Sequence, residues 1–358
     1  MQQEHAILEG FLGALRNLPD VHLDSDQVEL EARQSGRFYD ARINLRIADR
    51  PITLLVEAKK AVYPRDVHQA LWQFKKYGNT LAPDRETLSM LVAESISPGA
   101  KDLLREERIG YFDSGGSLFL PARGAYLFID KPPPKSLERS VRSIFSRRRA
   151  QVLLALLVRH QDWFGVTEIA KESKVAPSTA SEVLSQLDRF EWAESRGQGP
   201  SKERRLRQPG ALLDAWAKQQ AMARPPAMRR YYVSGYKADS LLEHVGRIFN
   251  AHHVTYAVTS EAAAQRYAPF LSTVSVVRAR VFTRDAADAA VAELDARVVN
   301  EGFNFAVLET KFPGELLFRE QLGGVWFAPP VQVYLDLQRG EGRAKELADH
   351  LRRERIKF

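Results

Sequence analysis

The sequence predicts an α/β multidomain protein, and three observations predict it. Apolar runs with strand periodicity alternate with amphipathic helical stretches over residues 1–130 and again over 225–358. Two proline clusters, Lys131-Pro132-Pro133-Pro134-Lys135 and Arg224-Pro225-Pro226, interrupt that alternation, because proline lacks a backbone donor and stiffens an extended linker. Between them lie short helical segments with helix–turn–helix spacing and an arginine-rich hairpin. The expected organisation is an N-terminal α/β domain over 1–130, a proline-rich linker over 131–138, a helix–turn–helix domain over 139–224 and a C-terminal α/β domain over 225–358.

At 358 residues the chain has room for two or three domains, each with its own core. Its 44% hydrophobic and 27% charged content is that of a globular protein. The absence of cysteine excludes disulfides, thiolate metal sites and cysteine nucleophiles, and fits a reducing compartment. Met1 to Leu12 carries Glu4 and Glu9 and lacks a basic segment followed by an apolar one, so no signal peptide is expected. No apolar run approaches the roughly 20 residues that span a bilayer. A cytoplasmic protein without a membrane partner is therefore expected. The net charge of +7 permits a polyanionic partner, and where that charge clusters matters more than its sum.

In chain order, Glu4 to Leu18 reads as a helix with Ile7, Leu8, Phe11, Leu12, Leu15 and Leu18 on its apolar side, ended by Pro19. Val28 to Ala32 reads as a first strand. The stretch from Phe38 to Tyr77 organises the rest. Along it, Ile52, Leu54, Val56 and Ala58 fall on one strand face and Thr53, Leu55, Glu57 and Lys59 on the other. Ala48-Asp49-Arg50-Pro51 has turn composition, and a hairpin folded there brings Asp40 opposite or diagonal to Glu57 and Lys59. Two carboxylates and an ammonium then converge. Mg²⁺ or Mn²⁺ suits such a set, since one or two carboxylates, waters and a substrate phosphate complete its shell. A helix follows, with Pro64 near its start and Gln69, Gln73 and Tyr77 along one stripe.

This stretch resembles the core of the PD-(D/E)xK nuclease superfamily, which implies a restriction-endonuclease-like fold. Asp40 matches the motif's aspartate, Glu57 its second acid and Lys59 its lysine. Gln73-Phe74-Lys75-Lys76-Tyr77 resembles the Q-x-x-x-Y helix of the RecB-like branch, where Gln69 is the alternative glutamine. The proline of the motif's name is absent, Tyr39 standing before Asp40. The resemblance implies Asp40 and Glu57 as metal ligands and Asp40, Glu57, Lys59 and Gln73 as the catalytic set. Glu9 in the first helix is a further candidate acid, its alternative being a solvated helix face. Leu88–Glu94, Ser97–Glu107, Ile109–Asp113 and Ser117–Leu120 continue the strand–helix alternation to about Ile129.

Beyond the linker, Arg139, Arg142, Arg147, Arg148 and Arg149 lead into the buried helix Val152–Leu157. Thr167 is the expected cap of one helix and Ser178 of the next, Thr179 to Phe190, whose Ala180, Val183, Leu184 and Leu187 face inward. Ala193–Arg196 and Arg204–Arg207 flank Gly197–Lys202 as a hairpin. The whole resembles a winged helix–turn–helix domain. The resemblance implies that the second helix, through Ser178, Thr179, Ser181 and Gln186, enters the major groove of double-stranded DNA, while Arg196, Lys202, Arg204, Arg205 and Arg207 meet phosphates. A winged helix used for protein contacts is the alternative.

The C-terminal part reads as helices at Gly210–Ala223, Ser240–Ala251, Glu261–Tyr267, Asp285–Val299, Val331–Leu337 and Arg343–Arg355. Strands are expected at Val254–Thr259, Ser275–Phe282 and Phe305–Glu309. It resembles a reduced nucleotidyltransferase-like domain, without the Gly-Ser turn and Asp-x-Asp pair of active members. Thr259-Ser260-Glu261 reads as a cap and His252-His253 as a polar helix end.

Through LLVEAKKAVYPRDVHQALWQFKKY, YAVTSEAAAQRYAP and VQVYLDLQRGEGRAKELADHLR, the chain resembles predicted transcriptional regulators grouped with the AbiEi-type antitoxins of type IV toxin–antitoxin systems. That resemblance implies a DNA-binding transcriptional regulator, with a toxin protein and a homodimer as possible partners. Such antitoxins usually lack the nuclease-like front. Two further readings stand beside it: an Mg- or Mn-dependent DNA endonuclease targeted by the winged helix, and a non-catalytic scaffold for DNA or a toxin.

Overall fold

The computed structural model describes residues 2–30, 39–77, 85–123, 125–132, 143–282, 284–310, 312–340 and 342–358. It is a mixed α/β protein with two compact units: Met1–Ser143 with Gln186–Glu191, and Ile144–Ser185 with Trp192–Phe358. Most of the proline linker, and Arg139 and Arg142, lie outside the described residues. Among the described residues no helix is long and apolar enough to cross a membrane.

The first unit is built on a seven-stranded sheet taken in sequence order. Helix α1 (Gln2–Arg16) precedes β1 (Val21–Leu30), β2 (Ala41–Ile47) and β3 (Arg50–Val62). Helix α2 (Pro64–Tyr77) then leads to β4 (Glu86–Ile96), and α3 (Pro98–Glu106) to β5 (Gly110–Asp113), β6 (Leu118–Ala122) and β7 (Ala125–Ile129). β1, β2 and β3 form an antiparallel meander, whereas β3–β4 and β4–β5 are parallel pairs reached by helical crossovers. Of the expected first strand, Val28–Ala32, residues 28–30 are the end of a longer β1, and the rest lies outside the described residues. A register shift between Leu23 and Val28 hides its periodicity in the sequence.

The β2–β3 hairpin fixes the register that matters. Ile47 pairs with Arg50 across a two-residue loop, and Ala48 and Asp49 both take left-handed backbone, φ 46° and 64°. Two such residues in succession give a turn whose twist matches that of paired strands. The pairing then runs without a slip to Ala41 opposite Val56. Ile52, Leu54, Val56 and Ala58 of β3 join Phe11 and Leu15 of α1 in one cluster. Leu91 and Ala93, the β4 partners of Glu57 and Lys59, pack instead with Val67 and Ala70 of α2. The alternation read from the sequence therefore sorts the two faces correctly, but both are covered by helices.

The chain continues with α4 (Arg147–Val158), α5 (Val166–Glu172) and α6 (Pro177–Arg189), followed by a hairpin of β8 (Ala193–Arg196) and β9 (Glu203–Leu206), all in the second unit except the end of α6 from Gln186. Ala180, Val183, Leu184 and Leu187 are fully buried, as their spacing predicts. The caps fall elsewhere than expected. α5 is capped at Gly165, so Thr167 lies inside it, and α6 starts at Pro177, whose fixed φ suits a first helical position, so Ser178 is also helical. Helix α7 (Pro209–Met222) leads to a second seven-stranded sheet of order β13-β10-β14-β12-β11-β16-β15.

That sheet comprises β10 (Met228–Tyr232), β11 (Tyr256–Thr259), β12 (Val277–Val281), β13 (Arg297–Val298), β14 (Phe305–Glu309), β15 (Glu320–Leu322) and β16 (Val325–Phe327). Its helices are α8 (Ala238–Ala251), α9 (Ser260–Tyr267), α10 (Arg284–Glu293), α11 (Pro330–Leu337) and α12 (Arg343–Leu351). The helix expected over Asp285–Val299 stops at Glu293. Asp295 takes φ 47°, and Arg297 and Val298 turn back to pair with Tyr232 and Tyr231.

Candidate functional site

Asp40 lies one residue before β2, at the point where the hairpin register sets it opposite Glu57. Its backbone N–H donates to the Val56 carbonyl at 2.8 Å, and its Oδ2 accepts from the Ala58 N–H at 2.8 Å. The two bonds bracket Glu57, so the carboxylates of Asp40 and Glu57 start from neighbouring backbone on one face of the sheet. Lys59, two residues on and on the same face, holds its Nζ 3.0 Å from Glu57 Oε1. The structure thus pairs Glu57 with Lys59 and sets Asp40 at the backbone position opposite Glu57.

Burial gives the group its chemical character. The Glu57 side chain is 9% exposed and that of Lys59 23%. In so little water a carboxylate requires a cation, and the Lys59 ammonium is one. Among the described residues no three His, Asp or Glu side chains gather as a metal site by themselves. The acid pair instead matches the donor set of a hydrated Mg²⁺ or Mn²⁺, for which one or two carboxylates suffice and waters or phosphate fill the remainder. Gln73 sits on α2, the helix covering this same face, and its Oε1 is buried without a hydrogen-bond partner among the described residues. Gln69 is exposed. The Tyr77 side chain lies outside the described residues.

Glu9 is not part of this group. It is exposed on α1, whose apolar side packs on the opposite face of the sheet from Glu57.

A second polar cluster of the first unit escaped the sequence reading. Lys101 of α3, its side chain 8% exposed, lies 2.8 Å from Asp113 Oδ2 and donates to Ser117 Oγ at 2.6 Å. The Ser117 N–H donates to Asp113 Oδ1. Asp113 ends an apolar strand just before Ser114-Gly115-Gly116, a position as suggestive as that of Glu57, but its lysine comes from another element. Beside it, the Tyr111 hydroxyl is buried with no partner among the described residues. Burial, reinforced by Asp130 and Asp113 and opposed by Arg105, pushes its pKa up to about 12. The fold therefore favours the neutral phenol over the phenolate. That contribution is complete below the ordinary value of about 10 and is lost as pH rises from there through about 12. Tyr111→Phe is expected to leave stability at pH 7 unchanged or raised by about 1 kcal/mol. It should also flatten the fall in urea midpoint between about pH 10 and 12.

The residues expected to face DNA separate into groups. Ser178 is exposed at the start of α6, and Thr179, Ser181 and Gln186 are half-buried. The hairpin sets Arg205 opposite Glu194 and Arg196 opposite Glu203. Both pairs close, at 2.6 Å each, and both guanidinium groups lie over the Trp163 ring, at 4.4 Å for Arg196 and 4.9 Å for Arg205. Arg204 corrects an expectation: it is 7% exposed, because alternation along β9 turns it inward with Leu206. It does not present a cation to a phosphate. Lys202 is half-buried and Arg207 exposed.

Thr259 of Thr259-Ser260-Glu261 holds the N-cap position of α9 but makes no side-chain cap bond to it. Thr259 Oγ1 donates to Asp336 Oδ2 at 2.6 Å, Ser260 takes φ 57°, and Glu261 pairs with Arg278. Asp336 also receives two bonds from Arg280, at 2.7 and 2.5 Å, and one from Gln332. Arg280 is 7% exposed, and its remaining contact is to Glu315 at 3.0 Å. His252 bonds Glu293 at the end of α8, in keeping with a polar helix end.

Comparison with protein-family models, curated proteins and solved structures finds no match to this chain.

Proposed function

We propose that this protein acts on DNA and that its first unit is a divalent-metal-dependent deoxyribonuclease of the PD-(D/E)xK kind. One observation supports the reading: the hairpin register sets Asp40 opposite Glu57, whose carboxylate holds the Lys59 ammonium, on a sheet whose β3 and β4 are joined by a helical crossover. Asp40 and Glu57 would hold Mg²⁺ or Mn²⁺. The bound ion supplies polarisation of a phosphoryl oxygen and a more acidic water. Lys59, already tethered to Glu57, supplies a positive charge that orients the attacking water and offsets charge developing on the phosphate. Gln73 offers a buried acceptor on the covering helix and positions substrate or backbone. Incubation of the full chain with supercoiled, linear and single-stranded DNA tests this. Cleavage in Mn²⁺ or Mg²⁺ that EDTA abolishes is expected, and intact DNA of all three forms in both metals contradicts it.

A second reading, a DNA-binding regulator of the AbiEi antitoxin type built on a winged helix, is favoured by the α4–α6 and β8–β9 arrangement with Ser178 exposed at the start of α6. Against strong phosphate contact, Glu194 and Glu203 occupy the charges of Arg205 and Arg196. Releasing both arginines with Glu194→Gln and Glu203→Gln is expected to tighten DNA binding. It should also steepen the slope of log affinity against log salt by about 1 to 2, one counterion per freed arginine. An unchanged slope in fluorescence anisotropy would remove the hairpin from the DNA contact.

A further inference from the structure

A cleft of about 680 Å³ lies wholly within the second unit, walled by the start of α4, by α7, and by the sheet residues around Arg280 and Thr310. Two of its lining groups are left in a state that folded proteins avoid. Trp216 of α7 is 3% exposed, and its indole N–H is buried with no acceptor among the described residues. Arg339, just beyond α11, donates through Nε to Gln220 Oε1 at 3.2 Å, but its Nη1 is buried with no acceptor among the described residues. A buried donor without a partner forfeits the bonds it made to water, so such groups are rare and call for an explanation.

Other charges nearby do not fill the gap. Arg280 is committed to Asp336 and Glu315, and Glu309, the other acid on the cleft, lies 3.2 Å from Arg229 Nε. Arg147 and Arg224 on the same cleft add positive charge at exposed positions. The apolar wall is aromatic: Phe145 stacks on Trp216 with ring centroids 6.3 Å apart and planes 27° apart, and Phe312 lines the same space. Buried donors, surplus cations and aromatic faces together specify a complementary guest, flat on one part and rich in acceptor oxygens on another.

We infer that this cleft is a binding site for a small oxyanion-bearing molecule, a carboxylate or phosphate, whose oxygens accept from Trp216 Nε1 and Arg339 Nη1 and whose planar part lies against the Phe145–Trp216 stack. The site is independent of the acid pair in the first unit, and neither assignment depends on the other.

The indole N–H of Trp216 is itself the reporter. The chain has 5 tryptophans, so ¹⁵N-labelled indoles give a small set of signals, with that of Trp216 assigned by its loss in Trp216→Phe. The full chain is titrated separately with sodium benzoate and sodium phosphate at constant ionic strength. A saturable shift of the Trp216 signal, with the other indoles still, is expected in at least one arm. Movement with benzoate alone makes the guest an aryl carboxylate, and movement with phosphate makes the oxyanion sufficient. Arg339→Met is expected to weaken the shift at least about tenfold while the Trp216 signal stays dispersed. Should that variant not fold, Trp216→Phe keeps the packing and removes one donor, and calorimetry with the same probe should read weaker binding. A Trp216 signal that neither probe moves, or one that moves equally in Arg339→Met, overturns the assignment.

Discussion

Glu57→Gln is expected to reduce Mn²⁺-dependent DNA cleavage by about 10³-fold, and Asp40→Asn by a similar factor. The magnitude follows from what the pair contributes. A metal held at the scissile phosphate supplies several kcal/mol of transition-state stabilisation, and each 1.36 kcal/mol is a factor of ten. Both substitutions are close to isosteric, and Asn at position 40 still offers an oxygen to the Ala58 N–H. The strand junction is therefore kept while the charge is removed, and thermal stability should move little. Lys59→Met is expected to lose about 10²-fold, the cost of removing one preorganised charge from such a site. Its buried partner Glu57 also loses its counter-ion, so metal affinity in that variant should change as well. Cleavage at the wild-type rate in all three variants would assign the nuclease activity to other residues.

Asp336→Ala is expected to destabilise the protein by about 3–5 kcal/mol, read as a lower urea midpoint of tryptophan fluorescence. Arg280 and Asp336 have side chains 7% and 6% exposed, and Arg280 donates to both Asp336 oxygens. The pair's worth lies less in its attraction than in what its loss leaves behind. Without Asp336 the guanidinium keeps, among the described residues, Glu315, while Thr259 and Gln332 lose the acceptor they share. Burial opposes the charge on Arg280, and in the intact protein Asp336 and Glu315 more than offset it. A guanidinium does not deprotonate in proteins, so in the variant the cation persists as a cost. Glu315→Gln should cost far less, about 1 kcal/mol or below, because that carboxylate is 36% exposed and water replaces it.

The acid pair was legible because its two determinants are local. Turn composition at Ala48–Asp49 sets the register, and period-two alternation along β3 sets the face. Together they place Asp40 against Glu57 with no knowledge of the rest of the fold. The same rule was available at β9, where alternation turns Arg204 inward beside Leu206, but a count of basic residues obscured it. Pairing across β8–β9 likewise neutralises Arg196 and Arg205 with glutamates present in the same short stretch. Caps were misplaced at Thr167 and Ser178, because Gly165 and Pro177 begin their helices one or two residues earlier. Helix starts depend on backbone angles that several neighbouring residues tolerate. The Lys101–Asp113 cluster, the Arg280–Asp336 pair and the Trp216 cleft were not legible. Each joins elements that only tertiary folding brings together, and none carries a fixed sequence spacing.

Mn²⁺ binding, counted by electron paramagnetic resonance of the free ion, tests the central claim most directly, because it needs neither substrate nor turnover. The wild-type chain is predicted to take up Mn²⁺ at a site that Mg²⁺ competes for and that Asp40→Asn and Glu57→Gln each abolish. Uptake unchanged in both variants, or no uptake by the wild-type chain at millimolar Mn²⁺, would contradict a metal-dependent site at Asp40, Glu57 and Lys59.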